Sequence, residues 1–159
     1  MREGRDFATL TEGPQADILL GGGFGLVARV RAGEYQETRI RDRTQVVFVA
    51  QDEEALTTVA WQDPTTYVHR GDLDVGLAQV AASRLPGNAT SAAFHDGELF
   101  IGSKFGLFKL PGSEITRVAS NEIDGVSQLS STEGVLWIVG HHDTFRIASG
   151  VLGHFPQVV

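Results

Sequence analysis

One stretch of this sequence returns later in the chain, and that repetition limits the fold more than any other feature. Gly21-Gly22-Gly23-Phe24-Gly25-Leu26 comes back 81 residues on as Gly102-Ser103-Lys104-Phe105-Gly106-Leu107. The two copies follow apolar runs, Ile18-Leu19-Leu20 and Leu99-Phe100-Ile101. Both close alike, with Thr38-Arg39-Ile40 in one and Thr116-Arg117-Val118 in the other. At an offset of 37, Gly97-Glu98-Leu99-Phe100-Ile101 aligns with Gly134-Val135-Leu136-Trp137-Ile138, and Phe108-Lys109-Leu110 with Phe145-Arg146-Ile147. Each copy reads as apolar strand, short turn, apolar strand, glycine-containing turn, third strand. That is the grammar of an antiparallel meander, not of alternating strands and helices. Asp96-Gly97 and Glu133-Gly134 fit tight hairpin turns, where glycine supplies positive φ.

A period of about 40 residues is the length of one four-stranded propeller blade. Regular spacing gives four blades, over residues 1–42, 43–85, 86–120 and 121–159, in one domain. The second is the poorest match. Val46–Ala50 reads as its inner strand, Leu56–Ala60 and Thr66–His69 as the next two, and Trp61-Gln62-Asp63-Pro64 as the turn between them. In residues 73–85, Leu73, Leu77, Val80 and Ala81 also fall at helical spacing, so strand and short helix both fit. The runs Gly97–Gly102 with Gly106-Leu107-Phe108-Lys109, and Gly134–Gly140 with Phe145-Arg146-Ile147, resemble bacterial propeller repeats, including those of two-component regulators. The resemblance covers about two thirds of the chain. It implies an all-β fold, a small or irregular β-propeller of antiparallel four-stranded blades. Two departures stand out: the second unit lacks the aromatic pair, and His141-His142-Asp143-Thr144 replaces a glycine-rich turn in the fourth.

A blade is apolar on both faces and must stack on its neighbours. Leu99, Ile101, Leu136 and Ile138 are expected in the core between blades, and Trp137 with them. An open set of four blades would expose two apolar faces, so closure into a compact ring is expected, with a shared ring in a homodimer next.

A net charge of −7 and a pI near 5.1 disfavour nucleic acid and favour a basic partner. No stretch reaches the roughly 18 apolar residues of a membrane helix, and the first residues form no apolar leader. A cytoplasmic protein without a membrane role is expected. The lack of cysteine excludes disulfides, thiol chemistry and cysteine zinc sites.

Propellers bind through loops at one end of the blades. The turns between second and third strands hold Gly22–Phe24, Trp61–Pro64, Lys104-Phe105 and Gly140–Asp143, and the connections between blades hold Arg41, Arg43, Asn121 and Glu122. Within this face, Trp61, Asp63, Lys104, Phe105, His141, His142 and Asp143 are the candidate partner-binding residues. Trp61 serves either as an anchor in a loop or as packing between blades. Arg39, Arg41 and Arg43 alternate like cations along one face of a strand end. His141 and His142, adjacent on a strand, point to opposite faces and do not chelate one ion, so neither metal nor other cofactor is expected. The glycines at 21–25 belong to no phosphate loop, because the turn recurs with Ser and Lys in place of two of them. No catalytic motif is present, and no catalytic residue is assigned.

The sequence therefore points to a non-enzymatic protein-binding module. One concrete form is an immunity or inhibitor protein that occludes a basic toxin or enzyme. The alternative is a propeller enzyme or small-ligand sensor using the central opening. Its weakness is that the inner strands Val46–Ala50, Thr90–Phe94 and Val126–Ser130 hold no carboxylate or histidine, although His95 and Asp96 follow the second directly.

Overall fold

A computed structural model describes residues 7–118 and 122–156. Among these residues, sixteen strands and one 3-10 turn make four antiparallel sheets, each drawn from one contiguous stretch of chain. The first holds β1 (Phe7–Glu12), β2 (Ile18–Gly22), β3 (Leu26–Arg31) and β4 (Glu34–Arg39), with the 3-10 turn at Gly23–Gly25. The second holds β5 (Gln45–Gln51), β6 (Leu56–Gln62), β7 (Thr65–Asp72) and β8 (Gly76–Arg84). The third holds β9 (Ala89–His95), β10 (Glu98–Ser103), β11 (Gly106–Leu110) and β12 (Thr116–Arg117). The fourth holds β13 (Val126–Thr132), β14 (Val135–Gly140), β15 (Asp143–Ala148) and β16 (Val151–Pro156). Strands lie side by side in chain order in every sheet, the meander that the repeat predicts.

The hairpins explain the register. Asp96 and Gly97 have φ of 49° and 76°, and Glu133 and Gly134 have 52° and 76°. Two left-handed residues in succession make the turn whose twist matches a right-twisted strand pair. The pairing Glu98↔His95 follows in one sheet and Val135↔Thr132 in the other. All four first strands also carry an irregularity at the same place, between Phe7 and Thr9, Val46 and Phe48, Ala89 and Ser91, and Val126 and Gln128. A bulge there bends the strand and increases its local twist.

The chain forms two compact units, Met1–Ala82 and Ser83–Val159. In the first, Leu19, Val27, Val46, Val49, Leu56 and Ala60 form a buried cluster between its two sheets. In the second, Phe100, Leu107, Val126, Leu129, Leu136, Ile138 and Phe145 do the same. Each fully buried aliphatic side chain of this kind contributes about 1.5–3 kcal/mol. A shared lock sets the spacing. A Cβ on Gly21 would lie 2.5 Å from Val46 Cγ1, and one on Gly102 would lie 2.5 Å from Val126 Cγ1. Glycine in each second strand thus admits the valine that opens the next sheet.

Leu99, Ile101, Leu136 and Ile138 are buried as expected. Trp137 is not: it is 37% exposed. Two-residue alternation puts it opposite Leu136 and Ile138, where its ring tilts against Phe155 at 6.0 Å and the Arg146 guanidinium lies over the same phenylalanine. The helix alternative within residues 73–85 also fails, since Gly76–Arg84 is strand β8. Asp72 sets up that strand by accepting hydrogen bonds from the backbone N–H groups of Asp74 and Val75, a tight turn that reverses the chain. The expected Arg39, Arg41 and Arg43 strand face is absent as well, because β4 ends at Arg39 and Arg43 has a φ of 60°.

Candidate functional site

Of the predicted residues, Asp63, Lys104, Phe105, His141 and His142 lie in turns between second and third strands, and two turns of this kind share one mechanism. In the first sheet the chain turns through Phe24, whose φ of 55° is left-handed, and through Gly25. Gly25 N–H donates to Thr44 O at 2.9 Å, and Ile40 N–H donates to Gly25 O at 3.0 Å. Only glycine fits at position 25, where a Cβ would lie 2.2 Å from the Arg41 carbonyl oxygen. Arg39, at the end of β4, donates to the Phe24 carbonyl at 3.0 Å. The third sheet repeats the device: Arg117, at the end of β12, donates to the Phe105 carbonyl at 2.8 Å. Each guanidinium pins a turn by its backbone and leaves the ring outside. Phe24 is 60% exposed and Phe105 is 50% exposed.

Around Phe105 the second unit gathers several predicted residues. Lys104 Nζ sits 5.7 Å from the Phe105 ring centroid. Ser103 Oγ donates to Pro86 O and accepts from Phe105 N–H, tying the turn to the connection before β9. The His141 ring lies against Gly125: its Cε1 is 3.0 Å from where a Cβ would stand, and Lys104 O is 2.5 Å from the same point. His142 and Glu122 are exposed nearby in sequence, while Asn121 lies outside the described residues.

Asp143 does not work with His141 and His142. It begins β15 and pairs with His154 at 2.7 Å, and the His154 ring stacks on Phe145 at 4.8 Å. Among the described residues no group of three His, Asp or Glu side chains is arranged to hold a metal ion. In the first unit Trp61 is not in a loop. It is half-buried at the end of β6, paired with Gln45 and Thr66, and Asp63 stands exposed in the turn beyond it. Arg41 lies over the Tyr67 ring at 4.5 Å.

Three features escaped the sequence reading. The arginine clamps were visible as matched Thr-Arg pairs 78 residues apart, and only the pairing geometry gives them a role. Asp17 is buried in the β1–β2 turn with Arg31 gripping both carboxylate oxygens, at 2.7 and 2.5 Å; Arg31's hydrogen bond lowers its pKa against the opposing effect of burial. His69, on β7, is buried with Nδ1 unpartnered. Burial, then the Arg41 charge, pushes its pKa down.

The fold has known counterparts. The designed protein Ika4 matches at a TM-score of 0.64 and 11% identity, over 99% of this chain and 96% of its own. YCF48, solved bound to a D1 peptide, matches at 0.71 and 11% identity, over 98% of this chain and 54% of its own, so this chain spans about half of that protein. The glutaminyl cyclase of Myxococcus xanthus matches at 0.56 and 15% identity, over 90% of this chain and 66% of its own. The four sheets are β-propeller blades. No protein-family model matches the sequence, and no curated protein matches it. In propeller terms the two clamped phenylalanines tip the second-to-third-strand turns of blades one and three, and the Lys104 and His141 turns belong to blades three and four.

Proposed function

We propose that this propeller is a protein-binding module that docks through its second-to-third-strand turns. The observation that carries this reading is the doubled device at Phe24 and Phe105. An aromatic ring left in water gains nothing for the fold, yet each turn is held by an arginine and a close-packed glycine or serine. Rigid exposed aromatics are what interfaces use as anchors, because they bring area with little entropy to lose. YCF48, with the same fold, was solved with a peptide bound.

The net charge of −7 supports a basic partner. The finer form of the proposal is an inhibitor or immunity protein that covers the active site of a basic toxin or enzyme. A cytoplasmic site of action goes with that reading. The test uses the full chain as bait in a lysate of its source cell, beside the Phe24→Ser/Phe105→Ser variant. A specific protein held by the first and lost from the second, more weakly held at higher salt, supports the module. Equal capture by both, or none by either, overturns it.

A further inference from the structure

Each unit contains one finished junction between two sheets and leaves one apolar sheet face bare. In the first unit, Leu19 and Val27 of the first sheet pack with Val46, Val49 and Leu56 of the second. In the second unit, Phe100 and Leu107 of the third sheet pack with Val126, Leu129 and Leu136 of the fourth. Counted from the bulge in each first strand, Leu10 and Ile18 hold the positions of Val49 and Leu56, and of Leu129 and Leu136. Those four are buried, whereas Leu10 is 69% and Ile18 42% exposed. The same count puts Trp137 at the position of Leu19 and Phe100, which are buried where Trp137 is exposed. The first sheet therefore bares the half of a junction that the second and fourth sheets bury. The fourth bares the half that the first and third bury.

The two bare faces complement each other. By strand pairing, Phe7, Leu10, Ile18 and Tyr35 share the first, and Trp137, Val139, Val151 and Phe155 share the second. These are eight of the twelve exposed large hydrophobic side chains among the described residues, a concentration that marks an interface. Exposed Glu12 and Glu37 lie on the first face and exposed Arg146 on the second, so the charges are of opposite sign. Four strands about 4.8 Å apart, each of about six residues rising about 3.3 Å, make a face of about 400 Å². Two copies bring four such faces together, about 1,600 Å², the size of a stable interface.

We infer that two copies of this chain form a homodimer through two identical junctions, the fourth sheet of each copy packing on the first sheet of the other. Trp137 then meets Leu10, as Leu19 meets Val49 and Phe100 meets Leu129 within the units. The junction is head-to-tail, and two-fold symmetry closes it at two copies. Its inner edge is wider than the others, because Val139 stands where Gly21 and Gly102 do and Phe7 where Val46 and Val126 do. The pairing is separate from the docking turns at Phe24 and Phe105.

The test is sedimentation equilibrium of the full chain, which is expected to give twice the 17.1 kDa mass of one copy. Leu10→Glu puts a carboxylate into one face of each junction, and Trp137→Lys puts a cation into the other. Each variant alone is expected to sediment as a monomer, with its circular dichroism unchanged because both side chains are exposed in the single chain. Mixed in equal amounts, the two variants keep one junction with both faces intact and one with the new charges opposed, so the dimer mass should return. Phe24→Ser/Phe105→Ser should remain dimeric, which separates this pairing from partner docking. A monomeric parent chain, a dimer that survives either single variant, assemblies larger than two, or no recovery on mixing overturns the inference.

Discussion

The two units are built on one plan inside and on different plans outside. Both use a glycine in the second strand to admit a valine from the next sheet, and both pin an exposed phenylalanine with an arginine from the fourth strand. Their outer strands diverge. In the first unit β4 has six residues, and its Gln36 donates to Asp74 in the turn before β8, closing the outer edge. In the second β12 has two residues, and a cleft lined by Arg117 and Val118 opens beside it. Inner strands are constrained by neighbours on both faces, whereas an outer strand is free to shorten. Here the shortening coincides with a cavity.

Each unit carries one of the two tryptophans, Trp61 and Trp137, so single-tryptophan variants report the units separately. The largest expected effect comes from the matched core positions. Leu56→Ala and Leu136→Ala should each cost about 2–5 kcal/mol, seen as a lower urea midpoint chiefly in the fluorescence of its own unit. If the two signals always move together, the units unfold as one and separate treatment fails. Next, Gly21→Ala and Gly102→Ala should each cost about 1–3 kcal/mol through overpacking, and Val46→Ala or Val126→Ala should recover part of the loss. Unequal losses would show that the lock is shared in form alone.

Smaller still, Arg39→Ala and Arg117→Ala should each cost about 1 kcal/mol, since the hydrogen bonds they make are half in water. Their main effect should be on partner capture. The smallest effect separates the units by pH. His69 in the first unit has a lowered folded pKa, so the folded state binds fewer protons than the unfolded state as pH falls below about 6.5. The stability due to neutral His69 is complete above that value and declines as pH drops through the folded pKa. Denaturation followed by Trp61 fluorescence should show this decline, and His69→Gln should flatten it.

Much of the fold was legible because its signals are local. Glycine turns and alternating apolar residues locate β9 to β11 and β13 to β15 directly. β8 was ambiguous, since Leu73, Leu77, Val80 and Ala81 satisfy helical spacing, and it took the Asp72 turn to settle the backbone. Trp137 was misplaced because a sheet apolar on both faces gives no sign of which face is covered. The candidate turns were legible as glycine-rich breaks. His95 and His69 were not, because a histidine's burial and unpaired nitrogen depend on residues distant in sequence, such as Ser131 and Arg41.

The clamps at Phe24 and Phe105 act on carbonyl oxygens, which every residue possesses. What stands at the tip is therefore chemically uncoupled from what holds the tip in place. Varying positions 24 and 105, with proline left out at both and β-branched residues left out at the left-handed position 24, should change which surfaces the chain recognises at little expense in melting temperature. In such a protein, specificity can drift by single substitutions while the scaffold stays under separate selection.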